Sequence, residues 1–338
     1  MPLIPETMRA LVLQAYDGPQ ALGLETLSTP QPGKGEVLIK VAAAAINPSD
    51  LMFLQGKYGV HPKLPHTAGF EGSGVVICAG GGFYGHALLG RRVAFTAGMG
   101  GTWADYCVCQ ATTVVPLAPG ISLPQGAMLF VNPLTAWALI DTARHHKAKA
   151  VVQTAATSAL GRMVVRLGQR FDLPIINIVR RQEQVDALRA IGAAHVLNSS
   201  AADFTTQLEQ LCHELKPTVG FDAVAGDMPG LLLRAMPRHA TVYVYGALGD
   251  LTVPISAGEL IFRDQRLHGF YLGAWVATQH PARMLQIAVD VQRMLGNVLR
   301  SEVRACMPLE AHQRAIDLYS NDMTGGKILF VPDLQQKF

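Results

Sequence analysis

The chain has 338 residues, which exceeds one ordinary core and predicts two domains at roughly 150 residues each. Charged residues make up only 16% of it, against roughly 25% in typical soluble proteins, so much surface is expected to be buried, for example between subunits. The net charge of +3 comes without a long basic run, which excludes the electrostatic footprint of a nucleic-acid-binding protein.

One long segment, residues 106–140, contains no Asp, Glu, Lys or Arg. A membrane-spanning helix needs about 20 apolar residues, but Pro116, Pro119, Pro124 and Pro133 interrupt this stretch. The pattern therefore predicts buried strands and a buried helix, and no membrane partner.

The N-terminus has neither a basic region ahead of an apolar one nor an Arg-rich amphipathic pattern. No targeting signal is visible, so the cytoplasm is the expected location. The cysteines number five, which is odd, and only one pair is close in sequence, so reduced thiols are expected.

In chain order, the first third predicts β-structure, because short apolar or alternating runs are separated by Gly and Pro clusters. These runs, which predict a small Gly-rich barrel, are MRALVLQ, GEVLIKVAAAAI, GSGVVICAG, RRVAF and WADYCVC. From about Lys149 to residue 249 apolar strands alternate with helical patterns, which is typical of a parallel doubly wound sheet. After Asp250 come a strand-like LHGFYLG, two helical patterns and a final strand GGKILFV, and this tail is predicted to return to the first domain.

The segment TAATSALGRMVVRLGQRFDLPIINIVRR, residues 154–181, predicts a nucleotide site. In an open parallel sheet the first strand-turn-helix holds a diphosphate on helix amides. The turn AATSALG departs from the GxGxxG pattern, and small residues there also let a helix pack on a strand. The predicted diphosphate ligands are Thr157, Ser158, Ala159, Leu160 and Gly161.

The second strand ends on Arg180 and Arg181, about 20 residues after the turn. An NAD site keeps an acid here for the ribose hydroxyls, whereas an NADP site keeps Arg. The alternative is that both arginines merely solvate a strand end. We predict NADPH as the cofactor, with its 2′-phosphate on these two residues.

Residues 46–72, INPSDLMFLQGKYGVHPKLPHTAGFEG, resemble the medium-chain dehydrogenase/reductase superfamily. The resemblance implies an α/β fold in which a GroES-like β-barrel catalytic domain accompanies a doubly wound Rossmann domain. We predict the catalytic domain over residues 1–122 and 268–338, and the NADPH-binding Rossmann domain over 123–267.

The zinc alcohol dehydrogenases of that superfamily bind the metal through a Cys and a His. The resemblance matches these two positions to Asn47 and Phe70 of this chain. Neither residue makes a usual zinc bond. The corresponding structural-zinc region offers only Cys107 and Cys109 instead of four cysteines. No zinc is predicted.

Within the zinc-free branch, NPSD, QGKYG, GTW, NPLTAW and TSALG followed by NIVRR look most like the mitochondrial-type trans-2-enoyl thioester reductases. The resemblance implies that Tyr58, in QGKYG, acts at the substrate carbonyl. Hydride attack at the β-carbon of an enoyl thioester builds negative charge on the carbonyl oxygen, which a phenol can stabilise before it relays the α-carbon proton. A lone Tyr in a Gly-rich loop would otherwise just pack with its hydroxyl in solvent.

Further site residues follow from the same resemblance. Asn47 is predicted either to hydrogen-bond substrate or nicotinamide or to hold its turn, while Asp50 caps local structure. Trp103 is predicted on the pocket wall, with a buried structural role as the alternative, and a surface position is the alternative for Lys327. The predicted nicotinamide-side residues are Asn132, Thr135, Tyr245, Gly246, Ala247, Phe270, Leu272 and Lys327.

The preferred hypothesis is an NADPH-dependent reductase of an activated carbon–carbon double bond in a small molecule, with enoyl thioesters as the family's substrate. An NADPH:quinone reductase is the first alternative, and a non-catalytic NADPH-binding sensor is the second. Low charge and relatives that pair through the Rossmann sheet edge predict a homodimer.

Overall fold

The computed structural model describes residues 3–97, 99 and 101–334. The chain forms two compact units, one from residues 1–131 and 288–338 and the other from residues 132–287. Within the described part of the chain, no helix combines the length and the apolar run that crossing a bilayer would require.

The secondary structure follows the chain in three blocks. The N-terminal block contains β1 (Thr7–Leu13), β2 (Leu22–Ser28), β3 (Glu36–Ala45), α1 (Pro48–Leu54), β4 (His66–Thr67), β5 (Glu71–Ala79), α2 (Phe83–Ala87), β6 (Arg92–Thr96), β7 (Tyr106–Gln110), β8 (Val114–Pro116) and α3 (Leu123–Gly126). The middle block begins at a π-helical turn, Phe130–Leu134, and contains α4 (Thr135–His145), β9 (Val151–Gln153), α5 (Ala159–Arg170), β10 (Ile175–Val179), α6 (Gln182–Ala190), β11 (His195–Asn198), α7 (Phe204–Leu215), β12 (Val219–Asp222), α8 (Met228–Ala235), β13 (Thr241–Val244), α9 (Ala257–Arg263), β14 (Arg266–Gly269) and α10 (Leu272–Ala277). The last block contains α11 (Pro281–Met294), β15 (Val303–Met307), α12 (His312–Asn321) and β16 (Lys327–Phe330).

The first unit is built on the long strand β3, which is paired along most of its length. Its first half pairs with β7 and its last two residues with β16, while β5 pairs along the other edge. Strand β16 thus returns the C-terminal tail to this unit, as predicted. The core beneath holds large side chains that are fully buried, including Phe53, Phe95 and Phe330.

The second unit contains a six-stranded parallel sheet in the order β11-β10-β9-β12-β13-β14. This is the strand order of the doubly wound dinucleotide-binding fold. The strands form because their residues are near-continuously apolar, as expected of strands covered on both faces. Residues Ile175–Val179 of β10, for example, are all buried. The predicted doubly wound sheet is confirmed.

The borders of the units differ from the predicted ones. Residues 123–131 join the first unit because α3 packs on β3, β5 and β6. Residues 268–287 join the second because β14 pairs in parallel with β13. The strand-like LHGFYLG is in fact the end of β14 followed by α10, since its last residues turn into a helix. The catalytic and NADPH-binding roles of the two units stay predictions.

Candidate cofactor and active-site residues

The turn before α5 has the local geometry of a phosphate cradle. Ser158 is the N-cap of this 12-residue helix, and its side chain accepts a hydrogen bond of 3.0 Å from the Gly161 amide. A Cβ on Gly161 would lie 2.6 Å from the Ala156 carbonyl oxygen, so only glycine fits there. The remaining first-turn amides lack intrahelical acceptors and carry the positive end of the helix dipole. Thr157–Gly161 therefore fit an anionic diphosphate.

Arg180 and Arg181 follow β10 directly and both are exposed. The backbone of Arg180 is held on both sides, since its amide donates to Gln184 and its carbonyl accepts from the Ser200 hydroxyl at 2.9 Å. Among the described residues no carboxylate forms an ion pair with either guanidinium. Two uncompensated cations at this strand end suit a phosphate dianion.

Tyr245, Gly246 and Ala247 follow β13, and Phe270 follows β14, at the edge where ligands bind in such sheets. The Tyr245 hydroxyl is buried and has no hydrogen-bond partner among the described residues. Burial raises the pKa of this phenol, which keeps it protonated. Leu272 is the first residue of α10 and is half-buried.

A buried polar pair that sequence reasoning missed lies at the same edge. The Thr154 hydroxyl donates to Asp222 at 2.7 Å and accepts from the Ala223 amide at 2.9 Å, which ties the end of β9 to the end of β12. Asp222 also accepts from the Ala225 amide, and burial raises its pKa. An acid that ends an apolar strand, as in VGFD, was the available signal.

The segment that carries Asn132 and Thr135 is unusual in its backbone. Asn132 lies in the π-helical turn together with Pro133, and Thr135 is the first residue of α4. Their exposed fractions are 8% and 9%, so both residues are buried.

In the first unit, Tyr58 lies in the loop after α1 and is half-buried. Its ring packs on Phe70, with centroids 5.1 Å apart, and Phe70 packs in turn on Phe53 at 5.3 Å. The position that resembles a zinc-binding histidine thus holds an aromatic support for Tyr58.

Asn47 is completely buried and uses both ends of its amide. Its Nδ2 donates to Glu71 Oε1 at 2.9 Å, and its Oδ1 accepts from Lys327 Nζ. These partners support the alternative in which Asn47 holds its turn. Lys327 is 2% exposed, so its predicted surface alternative is wrong. Glu71, which sequence reasoning missed, was visible as an acid within GFEGSGVV.

Asp50 is buried beside this group and caps α1, as predicted. Its carboxylate accepts hydrogen bonds from the Asn47 amide at 2.8 Å and the Phe70 amide at 3.2 Å. Burial raises the pKa of Asp50 to about 7. Burial likewise raises the pKa of Glu71 and lowers that of Lys327, while the attraction between these two ions opposes both shifts.

Trp103 is fully buried, with its Nε1 donating to the Ala45 carbonyl at 3.2 Å and its ring packed on Phe330. Its Cδ1 would lie 2.3 Å from a Cβ on Gly69. These contacts fit the structural alternative, and a place on a pocket wall stays a prediction.

Metal ligands are not grouped in the part of the chain that the structure describes, since no set of three or more His, Cys, Asp or Glu side chains is arranged to hold an ion. All five cysteines are free thiols.

Comparisons with known proteins identify the family. Residues 33–119 match the alcohol dehydrogenase GroES-like domain family, and residues 159–289 match the zinc-binding dehydrogenase family. The mitochondrial enoyl-[acyl-carrier-protein] reductase of Bos taurus is 30% identical over 293 residues, covering 85% of this chain and 78% of that protein. The chain belongs to the medium-chain dehydrogenase/reductase superfamily.

Two further members of this superfamily extend the comparison. The Rattus norvegicus enoyl-[acyl-carrier-protein] reductase is 29% identical over 93% of this chain and 86% of its own length. A crystal structure from Mesorhizobium loti, provisionally assigned as an NADPH:quinone reductase, is 35% identical with a TM-score of 0.89 over 98% of this chain and 100% of its own. The predicted superfamily and its GroES-like plus Rossmann fold are confirmed, and the chain is a member of an oxidoreductase family.

The pKa of Asp50 generates a prediction about stability and pH. An unfolded Asp loses its proton near pH 3.9, whereas the folded chain keeps this one until about pH 7. Between these values the folded state binds more protons, so Asp50 makes stability fall as the pH rises. Urea unfolding at pH 4.5 to 7.5 should show a steeper fall for the wild type than for Asp50→Asn, by up to about 1.4 kcal/mol per pH unit.

The exposed Asp17→Asn variant controls for the loss of one negative charge. Parallel stability profiles for the wild type and Asp50→Asn would contradict the assignment.

Proposed function

We propose that the protein is an NADPH-dependent oxidoreductase that reduces the activated double bond of a 2-enoyl thioester or a related enone, with Tyr58 as the donor at the substrate carbonyl. The observation that carries the proposal is the setting of Tyr58, a half-buried phenol supported by the Phe70 ring at 5.1 Å. The enoyl reductases from Bos taurus and Rattus norvegicus add support, because they match most of the chain.

The reduced nicotinamide, when bound, supplies the hydride to the β-carbon of the substrate. In our proposal Tyr58 donates a hydrogen bond to the carbonyl oxygen and stabilises the charge that develops there. The same phenol then provides a proton for the α-carbon. Phe70 and Phe53 are both buried, so the ring that packs on Tyr58 is held in place by its neighbours.

Cofactor binding is assigned to the second unit for the most part. Thr157–Gly161 hold the diphosphate, and Arg180 and Arg181 hold the 2′-phosphate. Residues Asn132, Thr135, Tyr245, Gly246, Ala247, Phe270 and Leu272 line the nicotinamide half. Lys327 stays proposed as a cofactor-binding residue, and its ammonium donates a hydrogen bond to Asn47.

Zinc independence is part of the proposal. The side-chain amide of Asn47 is hydrogen-bonded to Glu71 and Lys327, and the Phe70 side chain has no atom that binds a metal. The buried ammonium of Lys327 supplies positive charge beside Glu71.

An NADPH:quinone reductase is the second candidate, favoured by the Mesorhizobium loti relative at 35% identity. A non-catalytic NADPH-binding sensor is the third. Hydride transfer to a quinone does not require a phenol at a thioester carbonyl, so Tyr58 separates the first two candidates. The cytoplasmic location stays a prediction.

Replacing the Tyr58 hydroxyl tests the substrate class. We expect the wild type to oxidise NADPH with crotonyl-CoA, and Tyr58→Phe to lose about 100-fold or more in kcat/KM, since a donor aimed at developing charge is worth 10²–10³ in rate. Absorbance loss at the NADPH band measures this, with a simple quinone as the second acceptor.

Tyr84→Phe, which removes a hydroxyl from an exposed tyrosine of helix α2 in the same unit, is the control for loss of a phenol. Turnover with the quinone alone, unaffected by Tyr58→Phe, would replace the enoyl proposal by the quinone one. Tight NADPH binding without turnover of either acceptor would favour the sensor.

Replacing the arginine pair tests the cofactor. Arg180→Ala/Arg181→Ala should weaken NADPH binding by at least tenfold and leave NADH binding within about threefold, because a charge-assisted phosphate contact contributes roughly 1.5–3 kcal/mol. Titration of protein fluorescence with each dinucleotide measures both constants. The control is Arg189→Ala, an exposed arginine at the other end of α6. Equal losses for NADPH and NADH would contradict a 2′-phosphate contact.

We further propose a homodimer through the β14 edge of the second unit. Strand β14 ends the six-stranded sheet of the described residues, and the preceding helix α9 exposes Ile261 and Phe262 to 69% and 72%. An unpaired strand edge beside exposed apolar side chains favours pairing with a second copy.

A single charge tests this assembly. Phe262→Glu should convert the dimer into a monomer in light scattering after gel filtration, because the carboxylate would be desolvated at the interface. Phe83→Glu, at an aromatic residue 94% exposed on the first unit, should leave the dimer intact. A wild-type monomer, or a Phe262→Glu dimer at low concentration, would overturn the proposed interface.

A further inference from the structure

Glu71 opens strand β5 and is a buried carboxylate with three donors. Its exposed fraction is 1%. One oxygen, Oε1, accepts from Asn47 Nδ2 at 2.9 Å, while Oε2 accepts from the backbone amides of Phe130 and Val131 at 3.1 and 2.9 Å. The carboxylate therefore links strand β5 to a segment about 60 residues later in the chain.

The negative charge of Glu71 and the positive charge of Lys327 are joined by the side-chain amide of Asn47, which hydrogen-bonds to both. The Asn47 side chain presents its NH2 group to Glu71 and its carbonyl oxygen to the ammonium of Lys327. The reverse orientation would place the NH2 group against the ammonium and the carbonyl oxygen against the carboxylate. The two ions thus fix the orientation of the Asn47 amide, and the amide fixes the distance between them.

The segment that Glu71 holds begins an irregular turn. Phe130 and Val131 are the first two residues of the π-helical turn Phe130–Leu134, and Asn132 follows in the chain. A π-helical turn is rare and often marks a functional position. Its first amides have no partner within a helix, so a buried acceptor is needed to hold them.

We propose that Glu71 is a positioning residue for the reaction. By holding the amides of Phe130 and Val131, it fixes the turn that carries Asn132 and leads to Thr135, and Lys327 balances its charge through Asn47. This inference rests on the proposed function, in which Asn132 and Thr135 face the nicotinamide.

The expected effect separates placement of the nicotinamide from cofactor affinity. Glu71→Gln keeps the size of the side chain but turns one acceptor oxygen into a donor. Depending on the orientation of the new amide, either the hydrogen bond from Asn47 or both backbone hydrogen bonds are lost, and in either case the negative charge that strengthens the backbone hydrogen bonds is removed. Glu71 is not among the proposed phosphate ligands Thr157–Gly161. We therefore expect kcat to fall about tenfold or more, since small misplacements can cost up to about 100-fold, while the Kd for NADPH changes less than about threefold.

Ser73→Ala is the matched control. Ser73 lies two residues further along β5, on the same face, and is fully buried. Its hydroxyl donates to the Leu123 carbonyl at 2.6 Å, so it holds α3 and not the π-helical turn. Ser73→Ala should lower the melting temperature and leave kcat within about twofold.

A second readout needs no turnover. The emission of bound NADPH reports the surroundings of its nicotinamide, and we expect Glu71→Gln to change the emission maximum or intensity at saturating NADPH while Ser73→Ala does not. A chain that binds NADPH but reduces neither crotonyl-CoA nor a quinone would overturn the proposed function, and the emission would still decide on Glu71. Identical emission and kcat in Glu71→Gln and the wild type would overturn the inference.

Glu71→Gln removes one of the two carboxylates, Glu71 and Asp50, that attract the buried ammonium of Lys327, and the variant can fail to fold for that reason. In that case Glu71→Gln/Lys327→Met, which removes both charges, is compared with Lys327→Met alone. A further loss of kcat and a changed emission in the double variant support the positioning role, and equal values in the two variants overturn it.

Discussion

The first unit depends on accommodating two acidic side chains and one amine in its interior, away from bulk solvent. Asp50, Glu71 and Lys327 are each less than 3% exposed. Burying an isolated ion is so costly that it persists only with partners that satisfy it, and removing one partner of a buried pair typically costs about 3–5 kcal/mol. Here the partners are backbone amides for both acids and the Asn47 amide between the two ions. The chain around them therefore has little freedom to move.

The buried acids also restrict the positions of the residues proposed to act on substrate. Asp50 holds the backbone of Phe70, and the Phe70 ring supports Tyr58. Glu71, the next residue, holds the start of the π-helical turn. Phe70 and Glu71, at the start of β5, are thus neighbours with different roles. Phe70 supports the candidate proton donor, and Glu71 holds the start of a candidate cofactor-binding segment. The second unit differs, since the phosphate ligands proposed there are backbone amides and exposed arginines that need no buried counter-charge.

The fold was predictable because its signals are local or periodic. Near-continuous apolar runs such as IINIV, separated by amphipathic helices, determine a parallel sheet, and the cap at Ser158 is visible in TSALG. The borders of the units could not be predicted in this way, because they depend on which sheet α3 and β14 pack against. Glu71 was missed for a related reason: its partners, Lys327 and the amides of Phe130 and Val131, come from distant parts of the chain. Asn47 was predicted as a site residue, but its hydrogen bonds to two ions become visible only once β16 pairs with β3 and brings Lys327 near.

Loss of metal ligands does not leave the first unit without positive charge. In a zinc enzyme a divalent cation acts as a Lewis acid on the substrate oxygen. The ammonium of Lys327 has no vacant orbital and is only a hydrogen-bond donor, and here it donates to Asn47 Oδ1. The side chains at these positions can themselves supply hydrogen-bond donation and proton transfer. A phenol is suited to that task, since its pKa near 10 keeps it protonated at neutral pH while still allowing it to give up a proton to a carbanion. Besides the hydride, reduction of a carbon–carbon double bond conjugated to a carbonyl needs only such a donor. Alcohol oxidation must first remove the hydroxyl proton, which a Lewis acid at the oxygen favours. This is the physical reason why the first reaction is the one proposed from Asn47, Tyr58 and Phe70.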